Sequence, residues 1–530
     1  MRRVSSVLTP LLLAVVLAAG AWFRFAELEK RPPHGDEANQ MVKTGRLLER
    51  GEYRYDPHEH HGPTLYYMAL AVLRASGVNA FADSRVAHYR IAPALCGLLL
   101  VLAAWWVVRP AGAWAAWWAA LFTAVSHAMT FYSRYFIQEI SLVLFTFLLA
   151  GCLWRWWRRP GFGWAACAGL CLGLIHATKE TGAPIVAALA AALAAAALWG
   201  RLRDGVWPAP PVLNRRAAPL QCLLAAAVAV VVAVLFFTSF FTHARGPLDS
   251  LLTYGTYLGR SAGAGSSALH DKPWYYYLAL ITHTQRSAGP HWSEAPVLLL
   301  AVAGLAAGLF ARGDGGGGTL LRRMLCFFTL FLTVLFTLIP YKTPWNMLVF
   351  FEGLILLAGI GAAAIIRAGR WLPLRAALAL LVLAGAGWEA RQAWQGNFMY
   401  PADARNPYAY AHTSTAVNRL VARVHDIRAL DPAGRGMMVQ IIRPGGDYWP
   451  LPWYFRDMPT VGYYSQMPEK LAAPVIIAGM ELGAQLHEKL GDAYFTETHA
   501  LRPGVLLQAH IRRDLWDKFI AMRGGKGGGG

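Results

Sequence analysis

The stretch RPPHGDEANQ (31–40) sets His34, Asp36 and Glu37 directly after an apolar run long enough to cross a bilayer. Comparable groups recur along the chain: His58-Glu59-His60-His61, then Tyr132-Ser133-Arg134 with Gln138-Glu139, then His176 with Lys179-Glu180, then Tyr341-Lys342 with Trp345. A carboxylate can act as general base toward an incoming hydroxyl or amine. Arginine, lysine and histidine can hold a phosphate as it leaves. The combination suits transfer from a phosphate-linked donor. The membrane setting favours a lipid carrier, whose tail lies between helices while its phosphate stays at the interface.

Each group also has a plainer explanation. Asp36-Glu37 could cap a helix beginning near Ala38, where carboxylates favour the N-terminal dipole. Arg134 and Glu139 could be an internal ion pair, since charges near hydrocarbon must be compensated, and Lys179-Glu180 could anchor a span boundary. HEHH fits a solvated loop better than a metal cluster, because four consecutive residues on a regular helix or strand cannot all face one ion. The joint interpretation gains weight because all these groups fall on one face once the topology is drawn.

That topology follows from composition. The 530 residues are 56% hydrophobic and 15% charged, and apolar runs near the length needed to cross roughly 30 Å of hydrocarbon recur throughout. Spans are expected at about 8–26, 86–108, 113–131, 137–154, 163–178, 183–199, 219–241, 295–311, 324–340, 345–366 and 373–389. The N-terminal run resembles a signal peptide but is expected to be an uncleaved first span. With the N-terminus cytoplasmic, the cytoplasmic links collect arginines, among them Arg2, Arg3, Arg109, Arg155, Arg158, Arg159, Arg201, Arg203, Arg215, Arg216, Arg312, Arg322 and Arg323, against Asp204 and Asp314. The net charge of +19 is thus a topological signal and calls for no nucleic acid. Acids gather on the other side, nine of them in the first outer loop, about 27–85, where residues 65–73 read as a helix lying at the interface; 274–278 could be another.

After about residue 390 the apolar runs shorten, and 437–442, 460–464, 474–479 and 504–511 read as strands, with helices near 413–429 and 481–490. The expected architecture is an α-helical polytopic membrane protein of about eleven transmembrane helices (1–390) with a C-terminal extracytoplasmic α/β domain (391–530). The glycine-rich stretches at 313–318 and at the C-terminus read as linker and tail. The six cysteines, all in or beside apolar segments, suggest small fillers rather than a disulfide framework. Arginine in excess over lysine, with abundant alanine, suggests a GC-rich bacterium, and the spans then place the protein in its plasma membrane.

HGDEA followed by HHGPTLYYMAL resembles the loop of the GT-C class of integral-membrane glycosyltransferases, as in protein O-mannosyltransferases and lipid A aminoarabinose transferases. YSRYFIQEISLVLFTFLL resembles their second acidic motif, and HATKETGAP a lysine-bearing segment common among them. YKTPWNMLVFFEGLILLAG and GGDYWPLPWYFRD resemble a bacterial and archaeal subfamily described as flippase activity-associated. The resemblance implies inverting transfer of one sugar from a polyprenyl-phosphate donor to a glycan, lipid or protein acceptor outside the cytoplasm. It implies Asp36 as catalytic base supported by Glu37, and Glu139 as a second acid that positions acceptor or metal. It implies donor-phosphate roles for Arg134, Lys179 and Lys342. His34, His61, Tyr132, His176, Glu180, Tyr341 and Trp345 complete the candidate substrate-binding set, although HGP stands where many relatives have HPP or KPP, which leaves the role of His61 open. A divalent cation near Asp36 and Glu139 also stays open. A lipid-linked sugar flippase or flippase-associated protein is the rival, with the clustering of polar residues on one surface and the lack of an apparent half-repeat favouring surface chemistry.

Overall fold

A computed structural model describes residues 2–58, 61–205, 216–261, 270–310 and 317–524. Glu59 and His60 of HEHH, Arg215, Arg312, Asp314, the glycines at 313 and 315–316 and the tail at 525–530 lie outside the described residues.

The first half runs α1 (Arg2–Phe25), α2 (Gly35–Arg50), α3 (Thr64–Ala75), α4 (Val86–Val108), α5 (Ala113–Val125), α6 (His127–Ser133), α7 (Glu139–Arg158), α8 (Phe162–His176), α9 (Gly182–Asp204) and α10 (Ala218–Phe237). It continues with α11 (Gly246–Ser261), α12 (Tyr276–Thr282), α13 (Ala295–Phe310), α14 (Gly317–Leu338), α15 (Leu348–Ala368) and α16 (Leu372–Trp394). Each expected span meets a helix. Among the described residues, seven segments are long and apolar enough to cross a membrane: 86–111, 139–158, 182–204, 218–237, 317–338, 344–368 and 372–399. Shorter apolar helices cover 11–25, 113–125, 162–176 and 295–310.

The third expected span, 113–131, is interrupted at Ser126, whose extended backbone ends α5 and whose hydroxyl oxygen accepts from Met129 N at 3.3 Å to start α6. Glu294 holds this break, accepting from Ser126 Oγ (2.7 Å) and Ala128 N (2.9 Å). A polar break at this depth is compensated by such partners within the bundle. α15 is the central helix, buried along most of its length. Gly361 and Gly304 let α15 and α13 approach backbone to backbone, with no room for a Cβ at either position.

At one end of the bundle α2 buries Ala38, Met41 and Leu48 against Leu65, Ala69 and Leu73 of α3. These two amphipathic helices form the platform under the candidate site. The apolar patch at 274–278 anticipated α12; α11 was not expected, since it lacks an apolar run long enough to announce it.

The C-terminal part is a five-stranded mixed sheet, β1 (Val439–Ile442), β2 (Val461–Tyr464), β3 (Val475–Gly479), β4 (Tyr494–Arg502) and β5 (Val505–Arg512), in the order β2-β1-β3-β5-β4. β1 pairs parallel with β2 and β3, while β5 is antiparallel to β3 and β4. Helices α17 (Val417–Leu430) and α20 (Arg513–Gly524) cover one face with a core including Val424, Ile441 and Phe519. α19 (Gly483–Leu490) covers the other through Leu486. A short helix, α18 (Leu451–Tyr454), sets Trp453 against Tyr89 and Phe81, with centroids 5.5 and 5.7 Å away. β4 is an addition to the expected strands: a half-buried edge carrying TETHALR has little apolar signal. The division expected at 390 falls inside α16, and Tyr408 and Ala409 belong to the core of the helical bundle.

Candidate functional site

The site is built on the N-terminus of α2. His34 is its N-cap, and Glu37 at the third position reaches back to complete a capping box. Glu37 is wholly buried and saturated. It accepts from His34 N (3.0 Å), Phe136 N (2.9 Å), Arg90 Nε (2.7 Å) and Arg90 Nη2 (2.8 Å), with Arg31 Nη2 3.9 Å away. Burial pushes this carboxyl up, but the Arg90 and Arg31 guanidinium charges outweigh it and hold Glu37 below the usual carboxylate range. The expected catalytic part for Glu37 is therefore corrected to that of a structural anchor: it has no capacity left for a substrate. Its neighbour Asp36 points the other way, with a side chain 56% exposed.

Beside Asp36 lies a wall of rings. His34 is 5.5 Å from both Tyr135 and His412 and 6.1 Å from Trp345, centroid to centroid. Trp345 is 6.2 Å from Tyr132 and 5.9 Å from Tyr410. Tyr410 bonds through its hydroxyl to His270 Nδ1 (3.2 Å), and His270 packs 4.7 Å from Tyr341. Burial lowers the pKa of His34, its largest influence ahead of the opposing pull of Asp36 and Glu37. The 3.6 Å approach of His34 Nδ1 to Asp36 is thus one of a neutral ring, which also accepts from Asp36 N at 3.0 Å.

On the other side of Trp345 lies a narrow cleft lined by Glu139, Lys179, Ile185, Phe336, Trp345 and Val349, among others. Lys179 Nζ lies 2.5 Å from Glu139 Oε1, while Glu139 Oε2 is buried with no hydrogen-bond partner among the described residues. Burial alone would lower the lysine, but the Glu139 charge outweighs it and raises its pKa, so the ammonium persists. A buried cation flanked by apolar side chains is suited to an anion carried on a hydrocarbon tail.

A third group adjoins this cleft through Glu180. His61 Nδ1 is 2.8 Å from Glu180 Oε2, and Tyr55 donates to Glu180 Oε1 at 3.3 Å. His61 and the other neighbours outweigh the effect of burial and lower the Glu180 pKa. His176 meets Tyr254 (3.0 Å) and Ser250 (3.2 Å) of α11. Gly62 explains the HGP departure. Its N–H donates to Thr178 O (3.1 Å) and its Cα lies so close to the Ala177 carbonyl that a Cβ does not fit.

Two expected phosphate ligands are corrected. Arg134 donates to Phe23 O (3.0 Å), Ala26 O (2.5 Å) and Glu27 O (2.9 Å), closing the carbonyl end of α1. It makes no ion pair with Glu139. Lys342 donates to Ile339 O (2.5 Å) and Lys272 O (3.2 Å), tying two loops together. Sequence reasoning missed Arg90, Arg31, Tyr135, His270, Tyr410 and His412. Arg90 did carry a signal, a charge just inside an apolar span; His412 carried none, being in a segment assigned to the outer domain. Among the described residues no three His, Cys, Asp or Glu side chains gather as a metal-binding group.

Comparison with known proteins agrees with this architecture. Residues 64–245 match the family described as dolichyl-phosphate-mannose-protein mannosyltransferase. Protein O-mannosyltransferase 1 of Drosophila pseudoobscura pseudoobscura is 30% identical over 220 residues, covering 38% of this chain and 24% of the relative. The chain thus spans about a quarter of the length of that curated relative. ArnT from Cupriavidus metallidurans, solved with undecaprenyl phosphate, superposes with TM-score 0.57 at 14% identity over 94% of this chain and 97% of its own. AglB from Archaeoglobus fulgidus, an archaeal oligosaccharyltransferase solved with an inhibitory peptide and a dolichol-phosphate, gives 0.57 at 11% identity over 97% of this chain and 75% of its own. The chain is a multi-pass membrane protein that shares the fold of ArnT and AglB, and its residues 64–245 match the mannosyltransferase family.

Proposed function

We propose that this protein is an inverting glycosyltransferase that moves a sugar from a polyprenyl-phosphate donor to an acceptor on the extracytoplasmic face of the membrane. The observation that carries this is that Trp345 is shared: it lines the Lys179–Glu139 cleft and packs against His34, next to exposed Asp36. The lipid tail lies among Ile185, Phe336 and Val349, and the phosphate meets Lys179. The family over residues 64–245 and the lipid phosphates held by two proteins of the same fold support this donor class.

In this mechanism the acceptor oxygen or nitrogen attacks the anomeric carbon from the face opposite the phosphate. Asp36 takes its proton as the new bond forms. The carbon–oxygen bond to phosphate breaks, and the lipid phosphate leaves with the electron pair, its charge met by Lys179. Glu139 holds the ammonium until the donor arrives. Arg90, Arg31 and Glu37 keep the α2 N-terminus rigid so that Asp36 stays in register.

The test offers purified protein a panel of radiolabelled polyprenyl-phosphate sugars with membrane extract as acceptor source. Donor consumption with label appearing in the acceptor is the expected result, and it identifies the sugar. No consumption of any donor, with labelled lipid instead crossing reconstituted bilayers, overturns the transferase in favour of a flippase.

A further inference from the structure

Residues leaving the last span fold back onto the bundle before the sheet begins. Tyr408 donates its hydroxyl to Glu294 Oε1 (2.7 Å) and accepts at its carbonyl from Tyr132 Oη (3.0 Å). Trp292 Nε1 donates to Arg405 O (2.8 Å), and Thr413 Oγ1 donates to Pro33 O (2.7 Å). Between these anchors Ala411 has φ 46°, a left-handed conformation uncommon outside glycine. Such backbone persists where its surroundings over-determine it. Here the strained residue separates Tyr410, against Trp345, from His412, against His34 and Tyr135.

His412 is buried, and its Nε2 lies 3.0 Å from Pro32 O. A carbonyl only accepts, so Nε2 carries the hydrogen and Nδ1 presents a bare lone pair. That Nδ1 is buried with no partner among the described residues. Burial, reinforced by Arg31 and His34, holds the ring far below its ordinary pKa, so it stays neutral. His34 has the opposite polarity: its Nδ1 accepts from Asp36 N, which leaves Nε2 as the N–H. An acceptor and a donor on adjacent rings, bordered by the rings of Tyr135 and Trp345, suit a ring of hydroxyls and C–H groups.

We propose that His412, reaching the site from the segment beyond the last span, accepts a hydroxyl of the donor's sugar at Nδ1, with His34 beside it. This rests on the transferase proposal, which sets the sugar between Lys179 and Asp36, where these rings lie. The segment leading to the C-terminal domain is then part of the sugar subsite.

Two substitutions separate the ligand role from a structural one. Asparagine can return an acceptor at the Nδ1 position and loses the strut to Pro32; glutamine keeps a donor for Pro32 O and loses the acceptor. Purified full-length wild type, His412→Asn and His412→Gln are titrated with polyprenyl-phosphate mannose, glucose and arabinose, and with the bare polyprenyl phosphate. Wild type is expected to prefer at least one sugar-bearing lipid over the bare phosphate by about tenfold, the scale of one well-made buried hydrogen bond. His412→Gln is expected to lose that preference while binding the bare lipid like wild type, and His412→Asn to retain it. A His412→Gln protein with the full preference, or a loss confined to His412→Asn, overturns the proposal and assigns His412 to the strut. A wild type that binds none of the lipids overturns the transferase proposal itself, and this one with it.

Discussion

Two adjacent carboxylates with opposite fates show how much a single side chain depends on direction. Glu37 is buried and bonded to two arginine nitrogens and two backbone amides, whereas Asp36 meets solvent. Removing one partner of a buried ion pair typically costs about 3–5 kcal/mol, so Glu37→Gln should lower thermal stability by that order. Because the folded pKa of Glu37 is depressed, its contribution is complete above the ordinary value of about 4.3. It is lost as pH falls through the folded value. Wild type should therefore lose stability on acidification below that range with a component absent from Glu37→Gln; parallel pH profiles contradict the anchor role. The Lys179–Glu139 pair is tested differently. Lys179→Met strands a buried carboxylate and should cost about 3–5 kcal/mol, while Lys179→Met/Glu139→Leu should recover most of it. Neither protein should bind polyprenyl phosphate, and binding by the stable double variant would remove Lys179 from the donor site.

The elements position these residues through close backbone contacts as much as through side chains. Gly62 lets the start of α3 lie on the turn between α8 and α9, where His61 meets Glu180. Gly62→Ala should push these segments apart at a cost of about 1–3 kcal/mol. Gly62→Pro should cost at least as much, since it also deletes the N–H to Thr178 O, although proline stands here in many proteins that the motif resembles. Thermal unfolding of both variants checks this, and wild-type stability in either would contradict the observed packing. The spans were legible because apolar length signals them directly, and four strands because their runs are short and β-branched. The break at Ser126 was hidden because its compensation comes from Glu294, far along the chain. Arg134 looked like a phosphate ligand for a related reason. Its three carbonyl partners on and after α1 leave no trace in the types of residues nearby.

Across the whole molecule, the helical bundle, the α2–α3 platform and the C-terminal sheet meet at one end. Trp453 packs against Tyr89, Arg456 donates to Ser84 O (2.7 Å), and Thr413 reaches Pro33. The positions of Asp36 and Lys179 near one another could be anticipated from residue types and shared face, but the approach of the segment after α16 could not. His412 reaches His34 across more than two thirds of the chain. In the proposed mechanism these parts serve one chemical event, proton removal by Asp36 as the lipid phosphate departs. The most direct measurement is single-turnover sugar transfer by wild type and Asp36→Asn with a saturating donor, alongside thermal stability and donor affinity. General-base loss predicts a rate lower by about 10²- to 10⁴-fold with stability and affinity unchanged, since the swap alters little volume at an exposed position. Transfer by Asp36→Asn at the wild-type rate would contradict the account.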